Sequence, residues 1–209
     1  MRPTEFKGFI DGLGLQVRSA HVMGPEFDPA GTQYATDFWK KAADDHAVLG
    51  ATYLVKPAMP VPETKAALAA WVKYYDTIGA ICAERGLKFG FHNHDWEFRQ
   101  VGDVRMLDFL IEETNPELVT FELDVYWCQK AGVSPVEFME KHPGRFELLH
   151  IKDEKEIGES GEMDFASIFH TARKAGGMRH YFVEVERYNY EPMESIERSF
   201  NYLAKADYV

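Results

Sequence analysis

The chain has 209 residues, long enough to bury one sizeable core, and its 45% hydrophobic and 27% charged residues are those of an ordinary globular protein. Its 34 Asp and Glu against 23 Lys and Arg leave a formal charge of −11, which repels phosphate backbones and anionic lipid surfaces. No basic patch offsets this: Lys40 and Lys41 are followed at once by Asp44 and Asp45. No nucleic-acid or membrane partner is expected. The N-terminus lacks the apolar run of a signal peptide, so the expected location is the cytoplasm. Cys82 and Cys128 form no C-x-x-C motif and sit in apolar contexts, which suits buried free thiols.

Short apolar runs alternate with longer amphipathic ones. The strand candidates are residues 15–23, 51–58, 87–94, 118–126, 146–152 and 180–188. Tyr34, Phe38 and Ala42 suggest a helix between the first two. Residues 64–85 carry Leu68, Trp71, Val72, Tyr75, Ile78 and Cys82 at the spacing of one buried helical face, with Gly86 placed to end it. Met106, Phe109 and Leu110 mark another helix, and Ser134-Pro135 opens a shorter one. Asp164 reads as the N-cap of a helix burying Phe165, Ile168, Phe169 and Ala172. Pro192 starts the last, with Met193, Ile196, Phe200 and Leu203 inward. Strands alternating with helices, without a composition break, imply one α/β domain (1–209) with parallel strands. No glycine-rich phosphate loop follows the first strand, as a doubly wound sheet would usually require. Polar residues gather instead at successive C-terminal strand ends, where barrel active sites are built.

Those ends read FHNHDWEF (91–98), FELDVYW (121–127), LLHIKD (148–153) and FVEVER (182–187). Strand side chains alternate, so His92 pairs in face with His94, Glu122 with Asp124, and Glu184 with Glu186. Imidazoles and carboxylates at neighbouring strand mouths suit one catalytic divalent ion, Mn, Zn, Co or Mg. Glu122 and Glu186 serve equally well as salt-bridge partners. His46, His142, His170 and His180 are expected on the surface. Trp96 and Trp127 would form either an apolar wall for a sugar ring or caps on the core.

In this order, FHNHDWEF, LDVYW, LHIKD and YFVEVE resemble the sugar phosphate isomerase/epimerase family of xylose isomerase-like TIM barrels. The resemblance runs from about residue 15 to the end. It implies a metal held by Asp124, His150 and Glu184, with His92 where that family usually has a glutamate. It also implies proton transfer beside a sugar carbonyl through an enediolate stabilised by the ion. Glu184, His92 or His94 would be the base. Lys152 would steady the oxyanion or a substrate phosphate, or else pair beside Asp153. His21, Trp96, Glu97, Trp127 and Glu186 are the expected substrate contacts. The rival reading is a keto-sugar lyase or dehydratase that eliminates a β leaving group after the same deprotonation. A non-catalytic sugar-binding barrel and an abasic-site endonuclease fit less well. A full barrel has eight strands in about 250 residues. Only six are read here, so the expectation is an incomplete barrel without its first two βα units. Its gap would be covered by a homodimer or left open at some cost in activity.

Overall fold

The computed structural model describes residues 1–25 and 32–209. Its elements are α1 (Pro3–Gly12), β1 (Ser19–His21), α2 (Thr32–Leu49), β2 (Tyr53–Lys56), α3 (Lys65–Ala83), β3 (Lys88–His92), β4 (Gln100–Val101) and β5 (Val104–Arg105). They continue with α4 (Met106–Glu113), β6 (Val119–Asp124), α5 (Val125–Lys130), α6 (Pro135–Lys141), β7 (Leu148–Lys152), α7 (Phe165–Thr171), β8 (His180–Glu184) and α8 (Pro192–Ala204). The alternation is that of the α/β class. The chain divides into two compact units, Met1–His92 with Arg99–Thr120, and Asn93–Phe98 with Phe121–Val209.

In the first unit β1, β2 and β3 pair in parallel, with Ala20 opposite Leu54 and Leu54 opposite Phe89. All four residues of β2 are buried, as a strand covered on both faces requires. Helix α3 covers these strands because its sequence provides both ends and one apolar face. Thr64 caps the start, its side chain accepting the Ala67 N–H at 3.1 Å. Gly86, at φ 75°, supplies the left-handed turn after the helix end. Tyr75, from the apolar face, packs its ring 5.3 Å from both Phe89 and Phe91. Burying a side chain of this size contributes about 1.5–3 kcal/mol. Gly79 lets α3 approach the segment before β6, since a Cβ there would lie 2.8 Å from Leu118 Cβ. The ribbon of β4 and β5 is antiparallel and was not anticipated, because two-residue strands carry no readable period.

In the second unit β6, β7 and β8 pair in parallel. The registers put Asp124 opposite His150 and Lys152 opposite Glu184. Every residue of β6 and β7 is buried, whereas β8 alternates between half-buried and exposed. Asp164 caps α7 by accepting the Ser167 N–H at 3.1 Å. A π-helical turn, Ala172–Gly176, follows α7 before Gly177. Phe138 packs against Phe98 and Phe146, and both cysteines are buried and free.

Five of the six parallel strands end earlier than their apolar runs suggest: β1 at His21, β2 at Lys56, β3 at His92, β6 at Asp124 and β8 at Glu184. His142, expected at the surface, is buried against the Phe138 ring, and His180 lies half-buried in β8.

Candidate metal centre

The second unit gathers most of the side chains singled out by the sequence. Asp124 is the last residue of β6 and also the N-cap of α5. Its Oδ1 accepts the Trp127 N–H at 2.9 Å, so the chain turns into a helix where Val125 and Tyr126 favour a strand. Asn93 Oδ1 accepts the Asp124 N–H at 3.1 Å, which fixes the backbone. One carboxylate oxygen is thus spent on the cap. The other, Oδ2, is buried without a hydrogen-bond partner among the described residues.

His150 sits opposite on β7, with Nδ1 at 3.3 Å from Glu122 Oε1 and 4.0 Å from Asp124 Oδ2. Its Nε2 is 3.7 Å from Glu184 Oε2, at the end of β8. A carboxylate behind one ring nitrogen fixes the tautomer and presents the other nitrogen, as second partners of metal-binding histidines do. Glu122, which the sequence left between two roles, takes that position.

Asp124, His150 and Glu184 offer one donor atom each, all within 4.8 Å of one another. Two carboxylate oxygens and an imidazole nitrogen are the donor chemistry of Zn²⁺ or Mn²⁺ sites. A buried carboxylate oxygen with no hydrogen-bond partner among the described residues is a ready ligand for a cation. The residues fit the group.

The charges reflect that crowding. Burial pushes the Asp124 carboxyl up to about 7, against the lowering influence of His150, the Trp127 N–H and Lys152. Burial pulls His150 down, but the hydrogen bond to Glu122 and the charges of Asp124, Glu122 and Glu184 outweigh it, so its pKa rises. Lys152 donates to Glu184 Oε2 and Glu186 Oε2, each at 2.6 Å, and not to the neighbouring Asp153. Burial opposes its charge, and these two carboxylates raise its pKa. Its ammonium also lies 5.7 Å from the centre of the Trp127 ring.

His94 lies beyond the strand, its ring stacked on Trp96 at 4.3 Å and 7°, and 6.0 Å from Trp127. Burial lowers its pKa, with Glu184 and Asp95 acting in the opposite sense. Glu97 is fully buried and points back to the His94 N–H at 2.8 Å. His21 and His92 belong to the first unit, where their rings are 5.0 Å apart at the ends of β1 and β3. His92 is buried and His21 exposed.

A profile described as "Xylose isomerase-like TIM barrel" matches residues 2–206. The solved structure of a sugar phosphate isomerase/epimerase from Parabacteroides distasonis ATCC 8503 is 33% identical, with a TM-score of 0.95 over 100% of this chain and 79% of that one. A second from the same organism is 32% identical, with a TM-score of 0.91 over 98% and 82%. Inosose dehydratase of Geobacillus kaustophilus (strain HTA426) is 32% identical over 73 residues, a match spanning 35% of this chain and only 23% of that protein.

Proposed function

This chain belongs to the xylose isomerase-like TIM barrel family, and from that premise we propose that it is a divalent-metal-dependent isomerase or epimerase of a sugar or sugar phosphate. The observation that carries the reading is the convergence of Asp124, His150 and Glu184, with one buried Asp124 oxygen left for a cation. These three residues would hold the ion, with His92 as the fourth ligand implied by the family pattern. When bound, a divalent ion supplies the positive charge that steadies an enediolate.

The chain's own residues supply the rest. Glu184 is 43% exposed in its side chain and reachable by substrate. His94, its pKa lowered by burial, is neutral at pH 7 and able to accept a proton. Either serves as the base. Lys152 offers its ammonium to a developing oxyanion or a phosphate, and Glu186 beside it accepts from a hydroxyl. Trp96 and Trp127 provide ring faces for the apolar side of a sugar. His21 would meet the distal end of the substrate. Glu97 is expected near the substrate through its neighbour His94.

The likeness to inosose dehydratase favours a second reading, elimination of a β leaving group after the same deprotonation. One experiment separates the two. The purified protein is assayed for bound metal, then incubated with keto-sugars in heavy water and the products are weighed by mass spectrometry. Deuterium uptake in a sugar otherwise unchanged supports the isomerase, and loss of water or an aglycone supports the lyase. Metal-independent protein with neither outcome would sink both.

No helix among the described residues is long and apolar enough to cross a membrane; the cytoplasm is the location that goes with the proposed reading. A homodimer belongs to the same proposal. Among the described residues β8 pairs only with β7, and an unpaired strand edge is self-complementary between two copies.

A further inference from the structure

The proposed chemistry needs the His94 imidazole held in one orientation, and strand pairing does not hold it, because β3 ends at His92. The chain turns at once instead. The His94 N–H donates to Glu97 Oε2 at 2.8 Å, the Phe98 N–H donates to the Asp95 carbonyl at 3.2 Å, and Trp96–Phe98 forms a single 3₁₀ turn. The His94 ring lies nearly flat on the Trp96 indole, with the centroids 4.3 Å apart.

Glu97 sits inside this turn with no exposed surface, and its Oε1 has no hydrogen-bond partner among the described residues. Burying an unsatisfied polar atom costs about 1–3 kcal/mol. An aliphatic side chain would fill the same space without that cost. What it would lose is the grip of Oε2 on the His94 N–H and the carboxyl's interaction with the Trp96 side chain on which His94 stacks.

We propose that Glu97 is a positioning residue that, by holding the His94 N–H from inside the turn, keeps the imidazole stacked on Trp96 and facing the substrate. The inference rests on the isomerase reading for its catalytic consequence, but not for the stack itself. Burial lifts the Glu97 carboxyl to about 8, so at neutral pH the group is mostly uncharged. A glutamine keeps the acceptor oxygen, the size and the neutrality, and is the natural rescue variant.

Two measurements on the full chain test this. In proton NMR at neutral pH, the His94 C2–H signal is identified by its loss in His94→Gln. The indole beneath it shifts this signal upfield. Glu97→Ala is expected to return it towards the position of a free histidine, whereas Glu97→Gln leaves it near the wild-type position. Circular dichroism checks folding, and Glu97→Met, which fills the volume without an acceptor, replaces Glu97→Ala if that variant does not fold. With D-fructose or its phosphate as probe ketoses in heavy water, kcat for proton exchange falls about 10- to 100-fold in the variant lacking the acceptor, with KM changed less than about threefold. Glu97→Gln stays within about threefold of wild type. An upfield signal that survives in Glu97→Ala or Glu97→Met overturns the inference, as does its equal loss in Glu97→Gln. Absence of exchange in the wild-type protein counts against the proposed function and leaves the NMR signal to decide the role of Glu97.

Discussion

Asp124 carries two jobs on its two carboxylate oxygens, one capping α5 and the other facing His150. The jobs can be separated. Asp124→Asn keeps an oxygen for the Trp127 N–H but replaces the carboxylate charge, so metal affinity falls by about 100-fold or more while stability changes by less than about 1 kcal/mol. Asp124→Ala loses the cap as well, for about 1 kcal/mol more. Calorimetric metal titration and thermal melts read the two effects, and full metal occupancy in either variant would remove Asp124 from the ligand set. Glu122→Gln, acting through His150, weakens metal binding by about 10- to 100-fold. His92→Ala is expected to lower metal affinity and His94→Ala mainly turnover; the reverse pattern would shift the assignment by two residues. The pH dependence follows from the same atoms. Binding requires Asp124 and His150 to be unprotonated, so affinity strengthens as pH rises through about 7 and protons are released on loading. For the metal-free protein the sign is opposite. The Asp124 pKa is raised by folding, so its contribution to stability is fully present below its ordinary value of 3.8 and is lost as pH rises through about 7. Identical metal affinities at pH 6 and pH 8, measured by calorimetry, would contradict this account. Asp124, His150 and Glu184 could be singled out in the sequence only because four short motifs resemble those of a known family; strand alternation alone left Glu122 beside Asp124 and Glu186 beside Glu184. The Glu122–His150 partnership was not legible, since sequence order does not say which nitrogen a neighbouring carboxylate will face.

At the scale of elements, the existence and order of the six parallel strands were readable from apolar runs, but their ends were not. Val125, Tyr126 and residues 185–188 favour strands by composition, yet the Asp124 cap and the last β8 pairing at Glu184 stop the ladder first. What lies past β8 is held by side chains instead. Glu156 accepts from the Asn189 N–H, Asn189 Nδ2 and Ser195 Oγ at 2.7–2.9 Å, tying the segment after β7 to the start of α8. Burial opposes its charge, but these donors win and hold its carboxyl down at about 2. A carboxyl depressed on folding stabilises above its ordinary 4.5, and that contribution fades as pH falls through about 2. Glu156→Ala should therefore cost about 2 kcal/mol or more at pH 7, with the difference in melting temperature from wild type narrowing in strong acid. An equal penalty at both pH values would mean that packing, not the charged hydrogen bonds, is what Glu156 supplies.

For the molecule as a whole, the exposed apolar residues are not spread evenly. Tyr181 and Val183 of β8, with Ile196, Phe200 and Leu203 of α8, line an apolar cavity of about 460 Å³ beside the strand edge. Phe200 is 66% exposed, although its helical spacing with Leu203 reads as a buried face. The sequence shows that face but not what would lie against it. If two copies cover it together, light scattering finds a dimer, and Phe200→Glu returns the protein to monomer with little change in the melting temperature of the monomer. A monomer at all concentrations would remove the dimer. The formal charge of −11 adds a consequence of its own. Two copies meeting through an apolar edge bring like charges together, and ions shorten the reach of that repulsion to about 8 Å at physiological strength. Added salt should then tighten the association, where a contact built from ion pairs would loosen. If the dimer forms, the protein's own charge would act as a brake on it in dilute buffer, and concentrated or salted solutions are where self-association should surface first.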